Sequence, residues 1–176
     1  MERDAVDELL DQWRRERPDL DPSVVGVVGR LFRVSRRLDG AVEDLFQTRY
    51  GLQPGWFDLL ASLRRSGEPY QLSPTALSQA LMLTSGGMTK RLDRMEAEGL
   101  IRRLADPHDR RAMLVELTPT GREVVDAAVA DHIANEERLL AGLSPAERRT
   151  LERLLRKLMR HLEQNAPAAE PATQAN

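Results

Sequence analysis

The side chains best equipped to act on another molecule fall between residues 84 and 111, and what they offer is charge rather than covalent chemistry. That window holds seven Lys or Arg and five Asp or Glu. Ser85 to Glu98 has helical spacing, with Met88, Leu92 and Met95 on one apolar stripe. Gly86, Thr89, Lys90, Asp93 and Arg94 fall on the opposite face. Gly86 and Gly87 stand in the first turn, where each costs about 1 kcal/mol relative to alanine. Close approach of the backbone to another surface is one reason to accept that cost. A helix start also presents free amide donors and a positive dipole end, which suit phosphate. Ser85, Gly86, Thr89, Lys90 and Arg94 are therefore candidates for contacts to a DNA backbone or to base edges. The same face also fits the polar outside of an ordinary helical hairpin.

The flanking segments show what must position these residues. Upstream, Ser73 is a natural N-cap and Pro74 suits the first helical position. Ala76, Leu77, Ala80 and Leu81 then recur at helical spacing, and the pattern breaks near Leu83-Thr84. Gly99 is the expected stop of the second helix. Downstream, Ile101 to Leu104 and Met113 to Leu117 are short, apolar-rich and strand-like. The polar turn between them carries Arg110 and Arg111. The order is helix, tight turn, helix, basic two-stranded ribbon, which is a winged helix-turn-helix. Arginine in a narrow minor groove gains from the enhanced negative potential there. Asp109, unable to meet phosphate, would brace a neighbouring arginine by a charge-assisted hydrogen bond. A solvated turn is the plainer alternative for the two arginines.

On these residues the chain resembles the MarR family of bacterial transcription regulators. The resemblance is carried by Thr84-Ser85-Gly86-Gly87-Met88-Thr89, Arg91-Leu92-Asp93-Arg94-Met95-Glu96 and Gly99-Leu100-Ile101. It continues through Asp106-Pro107-His108-Asp109-Arg110-Arg111 and Leu117-Thr118-Pro119-Thr120-Gly121. It covers most of the chain from about residue 24 onward. It implies an obligate homodimer that binds a near-palindromic operator, usually as a repressor released by a small ligand.

The rest of the chain fits that architecture. Residues 2–16 form an amphipathic helix, with Val6, Leu9, Leu10 and Trp13 at i, i+3, i+4 and i+7. At that length it must dock on the body or on a partner chain. Residues 22–50 read as one helix of roughly 43 Å, in which Gly26 and Gly29 admit another helix. Pro54 to Arg65 follows, with Trp56, Leu59, Leu60 and Leu63 turned inward. After the wing, Thr118-Pro119 starts a helix to about Ala141. Leu143-Ser144-Pro145-Ala146-Glu147 is a capping box for a last helix to about Gln164. Residues 165–176, rich in Ala, Pro and Gln, are expected to be disordered. The organisation is an accessory helix at 1–21, scaffold and dimerisation helices at 22–66, the DNA-binding region at 67–118, C-terminal dimerisation helices at 119–164, and the tail. The fold class is mainly α with a small antiparallel β-wing. The helices at both ends carry more apolar stripe than one such domain covers. Pairing them across a two-fold axis would set two recognition helices about one DNA turn (~34 Å) apart.

A narrower resemblance, to the urate-responsive branch of MarR regulators, rests on Trp13 with Glu16-Arg17-Pro18-Asp19-Leu20-Asp21. It extends to Asp58, Arg91 and Arg103. It implies a ligand site of Trp13, Asp58, Arg91 and Arg103 for urate, a related purine or another small anion. An arginine fork and an indole face suit a flat, anionic, hydrogen-bonding heterocycle. An anion arriving near Asp58 would repel that carboxylate and shift the recognition helix, and Arg103 would link the movement to the wing. The residues alone equally allow Trp13 as a packing anchor, Arg91 as a phosphate contact and Asp58 as a solvated carboxylate.

Other classes find little support. The formal net charge is −2, so the basic character is local. There is no cysteine, hence no disulfide, thiol redox sensor or thiolate metal site. His108, His132 and His161 lie far apart, without metal-ligand spacing. No phosphate loop, nucleotide fingerprint or nucleophile elbow occurs, so no catalytic residue, cofactor or enzyme activity is expected. No apolar run approaches a membrane span and no signal peptide is visible, so a cytoplasmic location is expected. The rivals are a winged-helix protein-interaction module without DNA binding, a MarR regulator for an unrelated ligand, and a small enzyme using the wing as a dimer scaffold.

Overall fold

Among the described residues, period-3.6 stripes separated by capped and glycine-broken junctions give seven helices and three strands. The computed structural model describes residues 3–81, 85–107, 109 and 112–165. The elements are α1 (Ala5–Glu16), α2 (Ser23–Tyr50), α3 (Trp56–Arg65), β1 (Gln71–Leu72), α4 (Pro74–Leu81), α5 (Ser85–Ala97), β2 (Ile101–Ala105), β3 (Met113–Leu117), α6 (Pro119–Leu139) and α7 (Pro145–Gln164). The chain divides into two compact units, Met1–Ala134 and Asn135–Asn176. The mainly helical class with a small antiparallel sheet is as the sequence implied.

Local chemistry accounts for the boundaries. Asp4 caps α1, accepting from the Val6 and Asp7 amides at 2.8 and 3.1 Å, while the Asp7 carboxylate accepts from the Asp4 amide. The α1 start is therefore later than expected. At α3 the sequence reading placed the start at Pro54, but Gly55 adopts φ +74, a left-handed conformation that only glycine takes without strain, and the helix begins at Trp56. Ser73 caps α4 through a 3.1 Å bond from the Ala76 amide. The capping box at Ser144 and Glu147 forms as expected.

The ribbon is three-stranded, not two-stranded. The short edge strand β1 pairs with β3, giving the order β1-β3-β2, all antiparallel. Two residues are too few for alternation to be visible in sequence. In the sheet, Arg102 stands opposite Glu116, and Ile101 opposite Leu117. Ile101, Val115 and Leu117 are buried against the helices. They join Leu59, Leu60, Leu63, Leu77, Met88, Met95 and Val125 in one core cluster, to which Phe46 and Phe57 add a stacked pair with centroids 3.9 Å apart. Gly121 sits so close to the Leu100 carbonyl that a Cβ would lie 2.0 Å from its oxygen, so only glycine fits where α6 leaves the wing.

The accessory helix docks on α2 through Val6 and Leu10, both buried. Gly26 and Gly29 make room for them, Leu10 Cδ1 lying 3.2 Å from where a Cβ on Gly26 would stand. Arg30 bonds Asp4 and Asp7 across the joint at 2.7–2.9 Å. That guanidinium holds the Asp4 carboxyl down to about 2. Trp13, at the end of the same stripe, remains 49% exposed. On α2 the apolar stripe is largely uncovered, with Phe32 72% exposed and Val24, Val27 and Val34 also open. In the second unit, α7 exposes Leu154, Leu158, Met159 and Leu162. No helix among the described residues is long and apolar enough to cross a membrane.

Candidate nucleic-acid interface and anion cavity

Helix α5 places its charges by periodicity. Met88, Leu92 and Met95 go into the core, which leaves two flanks of opposite character.

One flank is closed by a single arginine. Arg103 shares its strand face with Ile101 and so points toward the helix, while its neighbour Arg102 points to the other face and pairs with Glu116. Arg103 Nη2 donates to Asp93 Oδ1 at 2.6 Å, and Nη1 to Glu96 Oε2 at 3.0 Å. The Arg103 backbone amide donates to the other Glu96 oxygen at 2.9 Å, and Nη2 also reaches the Thr89 carbonyl at 3.5 Å. The side chain is only 24% exposed. Strand β2 is thereby tied to the recognition helix by charge-assisted bonds.

The other flank is open. Gly87, Lys90, Arg91 and Arg94 line a cavity of about 270 Å³, completed by Gln53, Pro54 and Trp56 around the start of α3. Among the described residues no carboxylate pairs with Lys90, Arg91 or Arg94. The Arg91 guanidinium lies flat on Gly55, where an added Cβ would meet Nη1 at 2.9 Å. The first turn of α3 has no side-chain cap. A second cavity of about 400 Å³ shares Gln53, Trp56 and Arg94, and its further walls include Tyr50, Leu52, Leu100, Val124 and one carboxylate, Glu98. Three cations around one hollow repel each other until an anion arrives.

The remaining sequence candidates fall as follows. Thr89, Lys90 and Arg94 are exposed on α5. Ser85 and Gly86 form its first turn, but their side-chain environment lies outside the described residues, as do Arg110, Arg111 and the tail 166–176. Asp109 is exposed in the wing turn, its carbonyl accepting the Ala112 amide at 2.9 Å. Of the four ligand candidates, Arg91 alone lines the basic cavity. Asp58 is exposed in the first turn of α3, Trp13 is on α1, and Arg103 is committed to Asp93 and Glu96. Among the described residues no three of His, Asp and Glu are grouped to hold a metal ion. Sequence reasoning missed Gln53, Pro54 and Gly55 as neighbours of Arg91. The Pro54-Gly55 turn signal was the available clue.

A family model described as the MarR family matches residues 50–112. The HTH-type transcriptional regulator PecS of Dickeya dadantii is 40% identical over 160 residues, covering 91% of this chain and 96% of PecS. Among solved structures, an E. coli MarR mutant complexed with operator DNA superposes with a TM-score of 0.68 at 25% identity, covering 79% of this chain and 97% of that one. Bordetella bronchiseptica BpsR, whose structure concerns regulation of DNA binding by 6-hydroxynicotinic acid, gives 0.65 at 29% identity, covering 76% and 92%.

Proposed function

The chain belongs to the MarR family of DNA-binding transcription regulators, and on that premise we propose that it is a homodimeric repressor of a palindromic operator, released by a small anionic ligand such as urate or a related purine. The observation that carries the reading is the exposed, uncompensated cationic flank of α5 formed by Lys90 and Arg94. Most protein–DNA hydrogen bonds go to phosphate and sugar, and an unpaired cation beside an inserted helix is suited to them. Ser85, Gly86 and Thr89 add contacts from the first turns of the helix. Arg110 and Arg111 follow the minor groove, with Asp109 bracing a neighbouring arginine.

The dimer reading is supported by the uncovered apolar faces of α2 and of α7. Valine, leucine and phenylalanine side chains left in water each forgo about 1.5–3 kcal/mol of burial. A second copy would cover them and set two α5 helices on one side of the duplex.

For the ligand, Arg91 is the primary anchor, since its fork already faces a carboxylate-free hollow. A flat ring could continue toward Leu52, Leu100 and Val124 in the adjoining cavity. Trp13 and Asp58 complete the site in this reading, Trp13 by its indole face and Asp58 by repulsion of the arriving charge. Arg103 transmits displacement of α5 to the wing through Asp93 and Glu96. The printed subject of the BpsR structure, control of DNA binding by a small aromatic acid, favours the same class of effector.

The test joins sedimentation of the protein to a gel shift with DNA from upstream of its own gene. A dimer is expected. The paired substitution Lys90→Ala and Arg94→Ala should weaken operator binding about 100-fold, at roughly tenfold per lost contact. It should also flatten the salt dependence by about two charges. Urate should release wild-type protein. A monomer that leaves this DNA unshifted removes the regulator reading. A shift that no purine reverses removes only the ligand.

A further inference from the structure

The basic cavity has features that a ligand pocket alone does not require. It opens on the flank of the recognition helix, and three of its four residues from α5 carry a positive charge. Lys90 and Arg94 are exposed while Arg91 is half-buried, so the charge runs from the DNA-facing surface inward. When a helix enters a major groove, base edges face its tip and backbone phosphates run along its flanks. Arg103 has filled the other flank, and the adjacent sites there are carboxylates. The open flank is thus the place on α5 for a phosphate to sit, and Arg91 presents a planar fork matched to its oxygens.

We infer that this cavity is one anion seat used in turn by a backbone phosphate of the operator and by the anionic effector. Arg91 is then a DNA contact as well as a ligand contact, and the effector acts by occupancy. Bound effector fills the seat, so the phosphate has no place and the helix cannot settle in the groove. This deepens the proposed function and rests on it for the effector half. The phosphate half rests on the cavity alone. It differs from release by charge conflict with Asp58, in which effector and DNA bind separate places and bias one another. Coupling of that kind has a finite size, so DNA affinity falls to a plateau. Occupancy of a shared seat has no plateau.

The experiment is a methylphosphonate walk along the footprinted operator, which removes the charge of one phosphate at a time. Binding of the full-length wild-type protein and of Arg91→Gln is measured at each position. One phosphate in each half-site should weaken wild-type binding about 10-fold when neutralised and leave Arg91→Gln within about 2-fold of its own value. Equal losses for both proteins at every position overturn the phosphate half. Thermal unfolding of Arg91→Gln at the wild-type temperature confirms that the variant is folded. If it is not, Arg91→Lys serves, keeping the charge but losing the fork. In the second arm, the apparent operator Kd is followed as urate is raised. A continuing rise supports the shared seat, and a plateau with urate and DNA bound together overturns it. No response to urate overturns the effector half and the proposed ligand with it, while the walk decides the phosphate half independently.

Discussion

The two flanks of α5 are made from similar material and have opposite fates. Each carries charged residues one turn apart, and each faces a neighbouring element of the same unit. On the wing side, Asp93 and Glu96 meet Arg103, whose guanidinium and backbone amide both donate to them. On the α3 side, Lys90, Arg91 and Arg94 meet glutamine, proline, glycine and tryptophan. A compensated flank serves to hold the wing at a fixed angle to the helix. An uncompensated flank is held in a state that only an external anion relieves. The difference separates architecture from recognition on a single helix, and it separates Arg91 from Arg103, which the sequence had grouped.

The contrast breaks most visibly at Arg103. Replacement by alanine leaves Asp93 and Glu96 without their cation, beside a surface that must approach phosphate. Charge-assisted bonds of this kind contribute about 1.5–3 kcal/mol when shielded. Asp93 and Glu96 are partly exposed, so the expected loss of stability is nearer 1–2 kcal/mol, read from urea denaturation. Operator binding should fall about 10-fold, through a loosened wing and the freed negative charges. Adding Asp93→Asn and Glu96→Gln to Arg103→Ala should recover part of the affinity. If Arg103→Ala is stable and binds normally, the wing is positioned by its core contacts and the two flanks do not differ in kind.

Much of this was legible beforehand because it follows from periodicity and capping. The buried stripe of α5 could be read from Met88, Leu92 and Met95, and the last helix from its capping box at Ser144. The strand β1 was not legible, since Gln71 and Leu72 are held by pairing with Glu116 and Val115, far away in sequence. Nor was the division of the flanks. Arg102 and Arg103 are equivalent as sequence, and only the register opposite β3 sends one to Glu116 and the other to Asp93 and Glu96. Gly55 reads as part of the helix from Pro54, and neither its left-handed turn nor its place as the floor under Arg91 was recognised, because that contact is tertiary. Tyr70 gave no signal either. It holds φ +61, unusual for a residue with a side chain, and the guanidinium groups of Arg64 and Arg122 lie over its ring at 5.0 and 5.2 Å from the centroid.

A smaller effect sharpens the open flank. Asp58 is an exposed carboxylate in the first turn of α3, near the start that borders the cavity. Its charge favours that helix end by about 0.5 kcal/mol. Asp58→Asn should therefore cost little stability. It should tighten the effector if the arriving anion is repelled by Asp58, so that about 3-fold less urate releases half of the DNA, a difference of roughly 0.6 kcal/mol. Unchanged urate dependence would place Asp58 outside the ligand's field.

The smallest effect concerns pH. On the outer wing face, the Arg102 guanidinium bonded to Glu116 holds that carboxyl below the ordinary glutamate range, with further help from Gln71. A carboxyl whose value is lowered on folding contributes stability that is fully present above its unfolded value and fades as pH falls toward the folded one. Acidification from pH 6 toward 3 should therefore erode the contribution of Glu116. The Tm difference between wild type and Glu116→Gln, about 1–2 °C near neutrality for a pair with one exposed partner, should shrink toward zero. The cationic cavity has no paired carboxylate to protonate, so the corresponding difference for Lys90→Ala should stay flat over the same range. A Lys90→Ala difference that moved with acid would reveal a carboxylate partner on that flank. The asymmetry of α5 would then be one of degree, and the claim that its open side waits for an outside anion would fail.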